Sequence, residues 1–402
     1  MRTRPARWQK PFLRHRPASG PTRPLPDSPA NRPALPGLAD PPAAGHKRAD
    51  TMQALQPLPP RHRLRSPARI PAKPFAPPAI VAAACLAALW AGPVPARAAE
   101  GGLACRPTAA GRDWVFSENG RAVLTYHHGV VAPPEGFLEQ VSANNRRYAR
   151  ARADYIHPLH GLDGEVLTHD WPVDHPHHRG IYWAWPETMW GERMGDLHAL
   201  QEVFARPTGE PEVTERGEAI ELRARHRWLW QERTPVVAET AVIRVYPVRP
   251  DGRRIDLEFR LRALTRGVTI ARRETRLYGG LNLRLAAVAG QQIAFTNAPA
   301  GSEPRFSWGD LSGRFPGGRR ITGLAILQHP ANPEFPGDWV QYPELNWLQP
   351  TFPTAGTRCL LPTDRPLVLR YRLWIHPGRP DPAALVAEWQ RYARQTKPDP
   401  AQ

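Results

Sequence analysis

From Ala219 onward the chain alternates. Ile220, Leu222, Ala224, His226, Trp228 and Trp230 fall on one side of an extended segment, with Glu221, Arg223, Arg225 and Arg227 on the other. That is the period-two signature of a strand with one buried face. The pattern returns over Arg253–Ala263, where Ile255, Leu257, Phe259 and Leu261 oppose Asp256, Glu258, Arg260 and Arg262. Between the two, residues 236–248 follow Thr234-Pro235, and Pro250-Asp251-Gly252 makes a short reversal. Strands joined this closely pair antiparallel, because a parallel pair needs a crossover of a dozen or more residues. Upstream, residues 113–116 and Arg121–His127 flank Asn119-Gly120, a hairpin signal. Further strands are expected at 268–277, 282–286, 321–327 and 366–376. One helix is expected, from an Asp381-Pro382 cap to about residue 394, with Leu385, Trp389 and Tyr392 as its apolar stripe. These elements make an all-β protein, a large antiparallel two-sheet β-sandwich with a C-terminal helix.

The formal charge of +17 over 402 residues would suggest a nucleic-acid partner. Its placement argues otherwise. Residues 1–98 hold 16 Lys or Arg against 3 Asp or Glu, leaving 38 against 34, or +4, for the remainder. No basic stripe is left for nucleic acid. Residues 1–78 are rich in Pro and Arg and read as a disordered leader, with Met52 or a later codon as an alternative start. In the segment 79–98 the apolar run AIVAAACLAALWA has Arg69 and Lys73 before it and Ala96-Arg97-Ala98 after it. These are the parts of a secretory signal peptide, and the run is too short for a comfortable membrane span. Residues 99–402 are therefore expected to form a single β-sandwich domain without a stable membrane span, exported to the periplasm or beyond. In such a compartment Cys105 and Cys359 either pair or stay free, and their spacing leaves both open.

Titratable side chains concentrate in residues 154–185, which hold six His, five Asp or Glu and one Arg among Trp and Tyr rings. Turn formers crowd the stretch: His157-Pro158, Asp163-Gly164, Trp171-Pro172, His175-Pro176 and Arg179-Gly180. It is expected to be an ordered loop with brief strands at its ends, where sites commonly sit. Were His175-Pro176-His177-His178-Arg179-Gly180 extended, His175 and His177 would face one way and His178 the other. Three readings follow. The first is acid–base chemistry, with His175, His177 or His178 working beside Asp170, Asp174 or Glu165 and with Arg179 holding the substrate. The second is a divalent Cu, Zn or Fe ion on His175, His177 and His329. The third is a hydrogen-bonded loop core. Trp183 and Trp185 suit a sugar ring face, although tryptophan also fills sandwich cores. His329, Asn332 and Trp339 lie in a second loop of like composition, expected to meet the first.

Residues 155–185, YIHPLHGLDGEVLTHDWPVDHPHHRGIYWAW, resemble the signature block of the bacterial PmoA-like family, labelled methane oxygenase or domain of unknown function. The likeness continues in YGG at 278–280, WGDLSG at 308–313, HPANP at 329–333 with Trp339, and RYRLWIHPG at 370–378. It covers about residues 110–395 and matches His157, Thr168, Asp170, Asp174, His175, His177, His178, Arg179, His329, Asn332 and Trp339. The resemblance implies a galactose mutarotase-like supersandwich, an exported protein and sugar chemistry by a hydrolase, lyase or epimerase. The candidate catalytic residues are then His175, His177, His178, Asp170, Asp174 and Glu165. The candidate substrate-binding residues are Arg179, His157, Trp183, Trp185, His329, Asn332 and Trp339. The partner is a carbohydrate or another polar small molecule, bound by a catalyst or by a non-catalytic sandwich. No cofactor is expected, with a divalent metal as the alternative. N-terminal sequencing of the exported protein should give a chain beginning at Ala99, and one beginning near residue 1 would overturn the signal assignment.

Overall fold

The computed structural model describes residues 102–296 and 305–395, all within the compact unit Ala88–Gln402. The expected leader 1–78 and signal segment 79–98 lie outside the described residues. Two large antiparallel sheets and one small one form among these residues. The first runs, in spatial order, Leu103–Pro107, Asp113–Glu118, Arg121–His127, Tyr155–Leu159, Ile181–Ala184, Gly280–Arg284, Trp347–Pro350 and Trp339–Tyr342. The second runs Ala289–Phe295, Trp308–Arg314, Thr322–Gln328, Leu367–Pro377, Arg253–Ala263, Thr234–Val245, Ala219–Trp230 and Val203–Pro207, with Glu212–Arg216 also on Ala219–Trp230. The small sheet orders Cys359–Leu360, Val268–Ala271, Glu187–Trp190 and Arg193–Gly195. Of its four strands the sequence indicates only Val268–Ala271, within the expected 268–277; the others are too short to show a period. Among the described residues no helix is long and apolar enough to cross a membrane.

Local chemistry accounts for the turns. Asn119 and Gly120 both take positive φ, 50° and 76°, as a two-residue reversal that follows strand twist requires. The hairpin between Ala219–Trp230 and Thr234–Val245 turns at Gln231 and Glu232, also at positive φ. No Gly or Asn advertises that turn, so the second strand starts two residues before the expected 236. Gly252 sits at φ 125°, where a Cβ would stand 2.1 Å from the Ile375 carbonyl oxygen, so only glycine fits. The strand expected over 268–277 stops at Ala271. Beyond it the chain curls around the Arg272 guanidinium, which donates to the carbonyls of Leu277 at 2.7 Å and Arg276 at 2.6 Å and to Asp338 at 2.7 Å.

The two large sheets pack face to face. Trp183 stacks on Phe259 with ring centroids 4.0 Å apart, and Trp185 meets Trp228 at 5.7 Å. Glu239 joins the layers: it accepts from the indole N–H of Trp228 on the adjacent strand and of Trp183 on the facing sheet. The outer face of the larger sheet differs from the simple wet face that alternation suggests. Glu221, Asp256 and Glu258 are all buried there. Arg372 grips Asp256 through two bonds of 2.6 and 2.9 Å, Arg370 and Arg260 hold Glu258, and Arg244 and Arg223 cover Glu221. Paired guanidinium forks close over the carboxylates and remove them from water.

The helix Pro382–Ala393 covers part of that face. Asp381 caps it, accepting from the Ala383 N–H at 2.9 Å, as the sequence indicates. Leu385 and Tyr392 pack on Trp308, Ala325, Leu327 and Trp374. Its Glu388 is fully buried between Arg254, at 2.9 and 2.7 Å, and Arg372, at 3.3 Å. Cys105 and Cys359 are both free thiols, and burial pushes their pKa up to about 12 and about 11.

Asp154 stands beside Glu239 in the core, accepting a 2.6 Å bond from the Tyr126 hydroxyl with His226 Nδ1 3.4 Å away. Burial pushes its carboxyl up to about 6, and pushes that of Glu239 well above the usual range. Folded Asp154 thus holds its proton more tightly than unfolded Asp154. The stability gained is complete below about pH 4 and is lost as pH rises through about 6. Urea unfolding of wild type and Asp154→Asn from pH 4 to 8 should show the difference between them shifting by roughly 3 kcal/mol against wild type as pH rises. A flat difference would exclude a proton-holding carboxyl here.

Candidate functional site

The histidine-rich segment is turned, not extended. His178 N–H donates to the His175 carbonyl at 2.8 Å, and Pro176 occupies the second position of that turn, which its fixed φ favours. His178 therefore does not face away from its neighbours. Its ring stacks on His175 at 4.7 Å and meets His177 edge-on at 4.5 Å. The turn is pinned at its far end. A Cβ on Gly180, at φ 29°, would stand 2.1 Å from the Ile156 carbonyl oxygen, so glycine alone lets this chain lie against the strand Tyr155–Leu159.

A fourth imidazole joins from a distant loop. His198 lies 5.2 Å from His177 and 5.5 Å from His178 between ring centroids. Asp196 shapes that loop by accepting from the Ala199 N–H at 2.8 Å. Arg152 holds it from behind, donating to the carbonyls of Leu197 at 3.0 Å and His198. The Tyr182 hydroxyl lies 2.9 Å from His198 Nε2. Burial, with the charges of Arg152, His175, Arg273 and Arg284, pushes the His177 pKa down to about 3. Burial and the neighbouring imidazoles hold His178 and His198 well below the usual range as well. All three rings are neutral at pH 7.

His175, His177 and His178 line a cavity of about 420 Å³ together with Tyr278, Tyr342, Glu344, Leu345 and Trp347, and His198 adjoins that lining through His177 and His178. Trp347 packs on His178 at 4.3 Å, and Tyr278 on His198 at 5.0 Å. His175 is the most accessible of the group, its side chain 39% exposed, and its Nδ1 lies 3.0 Å from Asp174 Oδ2. Burial would raise the Asp174 carboxyl, but the contacts with His175 and with Arg284, 3.1 Å away, outweigh it and keep the pKa below the ordinary carboxylate value.

Residues 113–390, more than half of the chain, match a family of unknown function (DUF6807). The chain belongs to the DUF6807 family. No curated protein matches it. The matched span of the DUF6807 protein includes every residue that lines the cavity, together with His198.

Of the residues singled out in the DUF6807 sequence, the structure brings His175, His177 and His178 to the cavity, with Asp174 beside His175. The others lie elsewhere. Arg179 is fully buried with its guanidinium 3.2 Å from Asp170 and over the Trp171 ring, and it does not line the cavity. Asp170 also accepts from Tyr155 at 3.3 Å. Glu165 takes the Asp163 N–H at 2.9 Å and the Thr322 hydroxyl. His157 bonds Thr168 at 3.0 Å, and burial pushes its pKa down to about 4. Trp183 and Trp185 belong to the inter-sheet core.

The second loop of the DUF6807 protein does not line this cavity. His329 contacts the Gln395 carbonyl at 3.3 Å and the Ala331 N–H at 3.1 Å. Asn332 pairs twice with the Arg370 backbone, at 2.8 and 2.7 Å, and Trp339 donates to the Phe306 carbonyl at 2.7 Å. The expected grouping of His175, His177 and His329 is therefore replaced by His177, His178 and His198. His198 had no signal in the sequence, since a lone histidine in GDLHAL fits any loop. Arg179→Met should destabilise the DUF6807 protein by about 3–5 kcal/mol in urea unfolding, because it leaves Asp170 without its buried cation and removes the stacked guanidinium. A change under 1 kcal/mol would return Arg179 to the candidates for substrate contact.

Proposed function

We propose that this DUF6807 protein is an exported enzyme acting on a carbohydrate or similar polar small molecule, with His175 as its acid–base group and Asp174 as the carboxylate that orients it. The observation carrying this reading is the His175–Asp174 pair at an accessible cavity edge facing tyrosine and tryptophan rings. An imidazole backed by a carboxylate moves protons near neutral pH. Trp347, Tyr278 and Tyr342 supply flat apolar faces for the axial hydrogens of a sugar, while the histidines and Glu344 meet its hydroxyls. A volume of about 420 Å³ suits one or two sugar rings. Hydrolysis, elimination and epimerisation all turn on such a proton transfer.

The resemblance to the PmoA-like block and to mutarotase-type sandwiches supports sugar as the substrate class, and the apolar run before Ala99 supports export. On this reading substrate binding falls to the cavity residues and Arg179 keeps a structural role, since Asp170 and Trp171 already occupy it. The test is a screen of the full-length protein against neutral, acidic and amino sugars and short oligosaccharides, with product detection. His175→Ala should lower kcat by roughly 10²–10⁴-fold with folding retained, and Asp174→Asn should lower it to a smaller extent by removing the carboxylate that orients the ring. Turnover that survives His175→Ala unchanged would overturn the assignment. Tight sugar binding with no product at any pH would make the protein a binding module.

A further inference from the structure

His177, His178 and His198 each offer a ring nitrogen, and these nitrogens all lie within 4.8 Å of one another. We propose that the three imidazoles hold a first-row divalent metal ion, of which Zn²⁺ is the representative, beside the cavity. The proposal deepens the reading of this cavity as an active site and rests on it.

Three observations carry it. The first is donor type: three imidazoles and no thiolate or carboxylate form a set that suits zinc, copper, nickel or iron, and three such ligands leave coordination open toward a substrate. The second is that Nδ1 of His177, of His178 and of His198 is buried without a hydrogen-bond partner. An orphaned buried polar atom costs about 1–3 kcal/mol, so three in one cluster make a large unexplained cost unless a ligand meets them. The third is the support behind His198. With Tyr182 taken up at Nε2, only Nδ1 of that ring is left to ligate, and the phenol oxygen serves as acceptor for the Nε2–H.

The geometry needs little change. Imidazole nitrogens on one tetrahedral zinc stand roughly 3.4 Å apart, given bonds of about 2.0–2.1 Å, and small side-chain rotations close the gap from 4.8 Å. Two of the three nearby arginines already carry a carboxylate, Arg284 with Asp174 and Arg273 with Asp196. Arg152 keeps its charge, which with the ion favours an anionic or oxygen-rich fourth ligand. The rings of His175 and His178 are stacked, so the acid–base group would lie next to an oxygen polarised by the ion.

The test uses the full-length protein, stripped with chelator and titrated with Zn²⁺ alone by calorimetry, with Co²⁺ as a spectroscopic substitute. One Zn²⁺ per chain should bind, and its addition should raise the thermal midpoint. The Co²⁺ form should show d–d bands of a nitrogen-rich site. His198→Ala and His177→Gln should each weaken Zn²⁺ binding at least 100-fold, and Tyr182→Phe about 10-fold, with circular dichroism confirming the fold. If a variant does not fold, the wild-type stoichiometry and Co²⁺ bands decide the question. Absence of saturable uptake by the folded wild type, or wild-type affinity in His198→Ala, would overturn the proposal. Metal binding is read apart from turnover. Zn²⁺ uptake without sugar chemistry would keep the metal site and remove the sugar enzyme, while sugar turnover by a protein that shows no saturable Zn²⁺ uptake would do the reverse.

Discussion

Glu239 is the point on which the architecture turns. Its two carboxyl oxygens receive indole N–H groups from both large sheets, so one side chain, together with the Arg253–Glu118 pair, fixes the distance and the register between layers whose contact is mostly apolar. Apolar contact is non-directional and tolerates sliding, whereas two hydrogen bonds to fixed rings do not. Asp154, beside it, precedes the strand Tyr155–Leu159, which begins the histidine-bearing stretch. The loop that carries the candidate site thus leaves the core at its most constrained position.

Rigidity is passed outward from there in steps. The turn at Pro176 gathers three rings, Gly180 lets the chain lie against its strand, and the buried Arg179–Asp170 pair closes the loop behind them. Arg152 and Tyr182 position His198 from the opposite side. A surface loop built this way has little freedom of its own, which is what a preorganised constellation of neutral imidazoles requires.

The strands from Ala219 to Ala263 were legible because each combines a two-residue period with a half-buried face, and the helix because Asp381-Pro382 marks its start. The existence of a site in residues 154–185 was legible from density alone. Which members would face solvent was not. Arg179 looks like a substrate clamp in a linear reading because nothing in the sequence tells that Trp171 and Asp170 fold over it. His198 and Trp347 come from segments far along the chain, and a single sequence carries no information on which remote loops converge. His329 misled for the converse reason: similar composition does not bring two loops together. Apart from Val268–Ala271, the small third sheet escaped because strands of two to four residues hold too few repeats of a two-residue period to reveal it.

The arginine lattice on the outer face of the larger sheet has a further consequence. Lysine loses its charge near pH 10.4, and a face built from it would fall apart into unpaired carboxylates in strong alkali. Guanidinium keeps its proton well beyond that point. Because Asp256, Glu258 and Glu388 are all held by arginine, this face of the protein should keep its ionic fastening in caustic surroundings that would strip a lysine-based counterpart.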